Sequence, residues 1–81
     1  MLTYQYHPFY RLALEPEALD VWLMRGQALE AQEQYTAALA NYGYVLSRED
    51  RHSEALSYQC RVLGQLGNTE AALKACDRAL R

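Results

Sequence analysis

Apolar residues return along this chain at intervals of three and four, the spacing that gives an α-helix one greasy side. From Glu17 to about Ala31, Trp22, Gly26 and Leu29 follow that rhythm, with Glu17 and Asp20 near the positive end of the element. The phase changes around Glu33-Gln34, then resumes through Tyr35, Ala38, Leu39, Tyr42, Val45 and Leu46. A polar connection, Ser47-Arg48-Glu49-Asp50-Arg51-His52, supplies Asp50 as a candidate cap for a third helix with the core stripe Leu56, Cys60 and Leu63. Gly67-Asn68 ends it, because glycine tolerates the left-handed conformation that closes helices. Asn68 or Thr69 can then cap a last helix striped by Ala72, Leu73, Cys76, Ala79 and Leu80. Ahead of these, Pro8 can open a short helix over residues 8–15, and Pro16 starts the next one.

The same helix pair is written twice. Sliding the sequence along itself until Ala37 meets Ala71 lays Ala37-Ala38-Leu39 on Ala71-Ala72-Leu73, Leu29 on Leu63 and Leu46 on Leu80. These are apolar identities at helix-core positions, as a repeated unit burying one face would require. The reverse shift pairs Leu46 with Leu12 and Glu49 with Glu15, so the second half of a preceding unit is expected at the amino end. The units run over 17–48 and 51–81, behind the remnant at 8–15, within a single domain 1–81.

Composition narrows the function. Eighty-one residues suffice for one economical core and not for two. The few β-branched residues, Thr3, Val21, Thr36, Val45, Val62 and Thr69, give strand pairing little to build on, and the fold class is all-α. No apolar run approaches the roughly 20 residues of a membrane span, and the start, Met1 to Pro8, lacks the basic and apolar segments of a secretory signal, which points to a cytoplasmic protein. A net charge of −2 without like-charge blocks argues against nucleic acid and against anionic membrane surfaces. The spacing of Cys60 and Cys76 matches no familiar metal-ligand pair. Reduced, buried thiols facing each other across adjacent helices are the expected state.

The motif residues are those of a helical repeat. Trp22-x₂-Arg25-Gly26-x₂-Leu29 and Ala38-x₃-Tyr42, with Pro16 ahead of them, resemble the tetratricopeptide (TPR) pattern W-x₂-L-G-x₂-Y, A-x₃-F, P, which extends over about 34 residues. Arg25 departs from the pattern's leucine, Leu29 from its aromatic and Asp50 from its closing proline. In the second unit Leu56 stands for the tryptophan, Cys60 for the glycine and Cys76 for the large aromatic, while Ala72, Ala79 and Leu80 fit. The resemblance covers about residues 10–81. It implies antiparallel helix pairs stacked as a short right-handed superhelix of about two and a half repeats.

The resemblance further implies a non-catalytic module that receives a protein or peptide segment in a concave groove, lined by the first helix of each pair. Carried over by position, the groove displays Asp20, Leu23, Met24, Gln27 and Glu30 from one helix, and Glu54, Ser57, Tyr58, Arg61 and Gln65 from the next. Relatives that clamp peptide carboxylates use a lysine and asparagines there, whereas Leu23 and Gln27 occupy the first such places, so that ligand is not expected. No nucleophile elbow, paired carboxylates or phosphate loop is present, and no cofactor is implied. His52 with Glu49 and Asp50 reads as a solvated turn rather than a metal site. Tyr4, Tyr6, Phe9 and Tyr10 carry two readings: packing against Trp22, or a surface for self-association. The alternatives to a lone binding module are a self-associating homo-oligomer or capping fragment of a longer repeat array, because about three repeats are usually needed for stability, and, as the resemblance implies, a small chaperone for a secretion or assembly factor.

Overall fold

Long alanine- and leucine-rich stretches broken only at a few turns fold as helices in the computed structural model, which describes residues 18–81. The elements are α1 (Leu19–Ala31), α2 (Tyr35–Arg48), α3 (Ser53–Gln65) and α4 (Thr69–Ala79), with no strand among the described residues. Consecutive helices pack on one another, α1 on α2, α2 on α3 and α3 on α4, and α1 also touches α3. The short helix expected over 8–15 lies outside the described residues, as do Tyr4, Tyr6, Phe9 and Tyr10.

The turns explain where the helices stop. Two of them, one at the end of each first helix, share one hydrogen-bond pattern. The Gln34 amide donates to the Leu29 carbonyl and the Glu33 amide to Glu30, each at 2.9 Å; the Asn68 amide donates to Leu63 at 2.9 Å and the Gly67 amide to Gly64 at 3.0 Å. Both are Schellman caps, which need one residue in the left-handed region. Gly67 takes that conformation at φ 82° without steric cost, but at the first turn Glu33 is forced into it at φ 61°. Helix starts are less alike. Asn68 caps α4 by accepting from the Ala71 amide at 3.3 Å, as expected. The cap of α3 is His52 and not Asp50: the imidazole Nδ1 accepts from the Ala55 amide at 3.2 Å. The turn reading of His52 therefore gains a structural task.

The core runs between the helices as a continuous cluster of Leu19, Leu23, Ala38, Tyr42, Val45, Ala55 and Val62, with Trp22, Leu29, Tyr35, Leu39 and Leu46 packed against it. Tyr42 is its largest fully buried side chain. Its ring lies over Gly26, where an added Cβ would fall 2.5 Å from the ring's Cε1 and 2.9 Å from Cδ1. Glycine is required there because the two helices meet with an aromatic ring between them. On the outer flank Trp22 stacks on Tyr44, with ring centroids 4.2 Å apart. Asn41 is also buried, and its amide donates back to the Ala37 carbonyl at 2.9 Å.

Two expectations about the second helix pair fail. The predicted stripe of α4 includes Leu73 and Leu80, yet these are 64% and 87% exposed, and the buried residues of α4 are Ala72 and Ala75. Alanines let α4 lie close to α3, whereas the leucines point to a side on which no described helix sits. Leu39 and Leu46, their counterparts in the first pair, are covered because α3 follows α2. The cysteines also differ from expectation. Cys60 of α3 and Cys76 of α4 are joined as a disulfide with Cα atoms 5.1 Å apart, well inside the usual span. Closing a loop with a sequence separation of 16 stabilises a chain by about 3 kcal/mol on the chain-entropy account.

Two substitutions should shift stability in opposite directions in chemical denaturation. Gly26→Ala drives a methyl into the Tyr42 ring, which is fully buried, and should lower stability by about 1–3 kcal/mol. Glu33→Gly removes the left-handed strain at a cap that Gly67 already makes without strain and should raise stability by about 1 kcal/mol.

Candidate binding groove

The first helices of the two pairs, α1 and α3, lie side by side, and a shallow concavity of about 320 Å³ runs between them. Gln27, Glu30 and Ala31 of α1, Tyr35 at the start of α2, and Arg61 and Gln65 of α3 line it. Helical spacing produces this set. Gln27, Glu30 and Ala31 share one side of α1 by steps of three and four, and Arg61 and Gln65 share one side of α3. Four of the residues expected at the groove are thus brought together, with Ala31 and Tyr35 as additions.

At the floor of the groove a polar junction ties three helices. The Arg61 guanidinium grips the Glu30 carboxylate with two donors, Nε to Oε2 and Nη2 to Oε1, the second at 2.8 Å. The Tyr42 hydroxyl, coming up from the core of α2, donates to the same Oε1 at 2.9 Å. Glu30 is largely covered at 14% side-chain exposure, while Arg61 is half exposed at 50%. Arg61 also lies over the Tyr58 ring, 4.9 Å from its centroid, and that ring sits against Tyr42 with centroids 5.5 Å apart. Charge-assisted, two-pronged bonds are among the stronger polar contacts a protein makes.

The junction sets the ionisation of its members. Hydrogen bonding from Arg61 holds the Glu30 carboxyl below the ordinary glutamate range, against the opposing effect of burial, and the Tyr42 hydroxyl and the Arg61 charge add to it. Burial pushes the Tyr42 phenol well above its ordinary value, and the neighbouring carboxylate pushes it further. The bond from Glu30 likewise keeps Arg61 charged. Neither Tyr42 nor Arg61 is available as a proton donor near neutrality.

The other expected groove residues divide. Met24 is exposed, as are Asp20, Glu54 and Ser57, but none of these four lines the concavity. Tyr58 is half-buried beneath Arg61. Leu23 is a correction: at 5% exposure it is a core residue that faces inward with Leu19 and Gly26 and displays nothing to a partner. The Tyr42–Glu30–Arg61 junction has no sign in the periodicity, since its charged ends are separated by 31 positions. No cluster of histidine, cysteine, aspartate and glutamate able to hold a metal occurs among the described residues. No helix among them is long and apolar enough to cross a membrane.

Acid should weaken the fold partly through Glu30. Its folded-state affinity for protons is below that of an unfolded glutamate, whose pKa is about 4.3, so the stability it contributes is complete above that value and is lost as pH falls through the lower folded value. Denaturation midpoints followed from pH 7 down to about pH 3 should fall more steeply in the wild type than in Glu30→Gln. Equal slopes in the two proteins would remove Glu30 from the acid response.

Comparison with known proteins supplies the family. No family model matches the chain, and no solved structure matches it. A curated TPR repeat-containing protein of Rhizobium etli is 32% identical over 69 residues, which is 85% of this chain and 34% of that relative, so the chain spans about a third of the length of the protein it matches. The all-helical architecture, the consecutive antiparallel packing and the recurrence of core and turn residues from one pair to the next agree with that relationship. This chain belongs to the tetratricopeptide repeat family, whose helical repeats serve protein interaction and are generally not enzymatic.

Proposed function

We propose that the chain is a non-catalytic interaction module whose groove between α1 and α3 receives an extended segment of a protein partner. In this reading the repeats span 17–48 and 51–81 behind a partial repeat at 8–15, and the module works in the cytoplasm. The observation that carries it is the convergence of Gln27, Glu30, Arg61 and Gln65, from two separate helices, on one concavity. Glu30 and Arg61 neutralise each other, so the floor offers little net charge. The two glutamine side chains remain as exposed groups that both donate and accept, suited to the amides of an extended backbone, with exposed Met24 nearby on α1 as an apolar contact. A weakly charged segment fits this lining better than an acidic tail.

Selection of short peptides from a random displayed library, followed by titration of the winners against variants, tests the groove. Gln27→Ala combined with Gln65→Ala should weaken the selected peptides by about tenfold or more, while Lys74→Ala on the exposed side of α4 should leave them unchanged. Peptides indifferent to the glutamines, or sensitive to Lys74, would move the binding surface elsewhere.

Self-association is the second reading, favoured by Leu73 and Leu80, which stand exposed at positions whose counterparts Leu39 and Leu46 are covered. Light scattering over a concentration range should show mass rising with concentration for the wild type and a constant monomer mass for Leu73→Glu with Leu80→Glu. A wild type that stays monomeric at the highest concentration sinks this reading.

A further inference from the structure

The second helix pair lacks both aromatic contacts that hold the first. One repeat further along, Gly26 and Tyr42 correspond to Cys60 and Cys76, and Trp22 and Tyr44 to Leu56 and Arg78. The first pair has a buried ring over a glycine and a stacked aromatic flank. The second has a covalent bridge at the first of these places, and at the second a cleft of about 600 Å³ whose lining includes Leu56, Arg78 and Ala79.

Little else fastens α4. Among the described residues it packs on no helix but α3, and its buried residues are two alanines. Leu73 and Leu80 contribute almost nothing to its seat, and a tertiary hydrogen bond from Arg78 Nη2 to the Asp50 carbonyl, at 2.8 Å, steadies its far end. Both cysteines are half-buried and neither belongs to the buried core.

From these observations we propose that Cys60–Cys76 is a reversible redox site whose reduction by a dithiol releases α4 from α3. The reaction is thiol–disulfide exchange. One thiolate of the reductant attacks a bridge sulfur, forming a mixed disulfide and expelling the other cysteine as a thiolate. The reductant's second thiol then displaces the first cysteine and leaves as a cyclic disulfide, so that two electrons pass to the protein and the protons given up by the reductant end on Cys60 and Cys76. Once the bond is broken the two sulfurs must part to non-bonded contact. No ring is present to fill the space, as Tyr42 does in the first pair. The lost cross-link falls on the helix with the fewest other attachments, and Leu56 of α3, which lines the cleft beside Arg78 and Ala79, becomes accessible when it leaves. Disulfides persist in oxidising surroundings and are transient in reducing ones, so the state of α4 reports on the compartment.

Hydrogen exchange of the full chain, read by mass spectrometry with and without dithiothreitol, tests it. Reduction should speed exchange of the α4 amides from Leu73 onward by roughly a hundredfold, leave α1 and α2 unchanged, and reverse on addition of oxidised glutathione. Cys60→Gly with Cys76→Tyr, which copies the Gly26–Tyr42 contact into the second pair, should hold α4 and ignore the reductant. Unchanged α4 protection on reduction would overturn the proposal, as would α1 and α2 opening together with α4, or two titratable thiols in protein equilibrated with oxidised glutathione. The wild-type comparison decides the matter by itself if the double variant does not fold.

Discussion

Everything described in the groove and in the first helix pair depends on where Tyr42 sits. Its ring lies fully buried against Gly26, and its hydroxyl reaches Glu30, one turn further along the same side of α1. A phenylalanine would fill the same space without reaching the carboxylate. A larger residue at Gly26 would push the ring away from its bond. Apolar packing thereby positions a charged pair: because Tyr42 fixes one oxygen of Glu30, Arg61 has a stationary fork to grip, and α3 is held at a set rotation against α1. The depressed proton affinity of Glu30 is the electrostatic trace of that arrangement.

The second helix pair repeats the backbone plan without the aromatic contacts. The same Schellman turn recurs, and small residues recur at the helix contact, but sulfur replaces the ring and glycine. Two equivalent positions thus solve one problem, how to keep two helices in close register, by different physics. Dispersion between a ring and a bare backbone is insensitive to the redox surroundings. A sulfur–sulfur bond depends on them.

Much of this is legible in the sequence. The helices begin and end within about two residues of the expected places, because Gly67, Asn68 and the phase change at Glu33-Gln34 carry local hydrogen-bond requirements. Residues Ala38, Tyr42 and Val45 are recognisable as core from their spacing. The misses share a cause. Periodicity identifies the apolar side of a helix but not whether a neighbour covers it, so Leu73 and Leu80 read as buried and Ala75 is passed over. Positional carry-over places Leu23 in the groove, although its spacing from Leu19 and Gly26 puts it on the inward side. His52 does not read as a cap because imidazole is an uncommon one. The disulfide leaves a trace only in the repeat correspondence that sets two cysteines against a glycine and a tyrosine. The Glu30–Arg61 pair leaves none, since it joins helices whose relative rotation is a tertiary property.

The bridge between α3 and α4 also has a mechanical meaning. A chain pulled from its ends lengthens by about 3.3–3.6 Å for each residue set free. With the bridge intact, the stretch between Cys60 and Cys76, a separation of 16, adds no length however far the helices unravel, and roughly 50 Å of contour stays hidden from the force. Reduction returns that slack to the chain. The oxidation state of one pair of sulfurs thereby sets how far the carboxyl-terminal hairpin can extend under load.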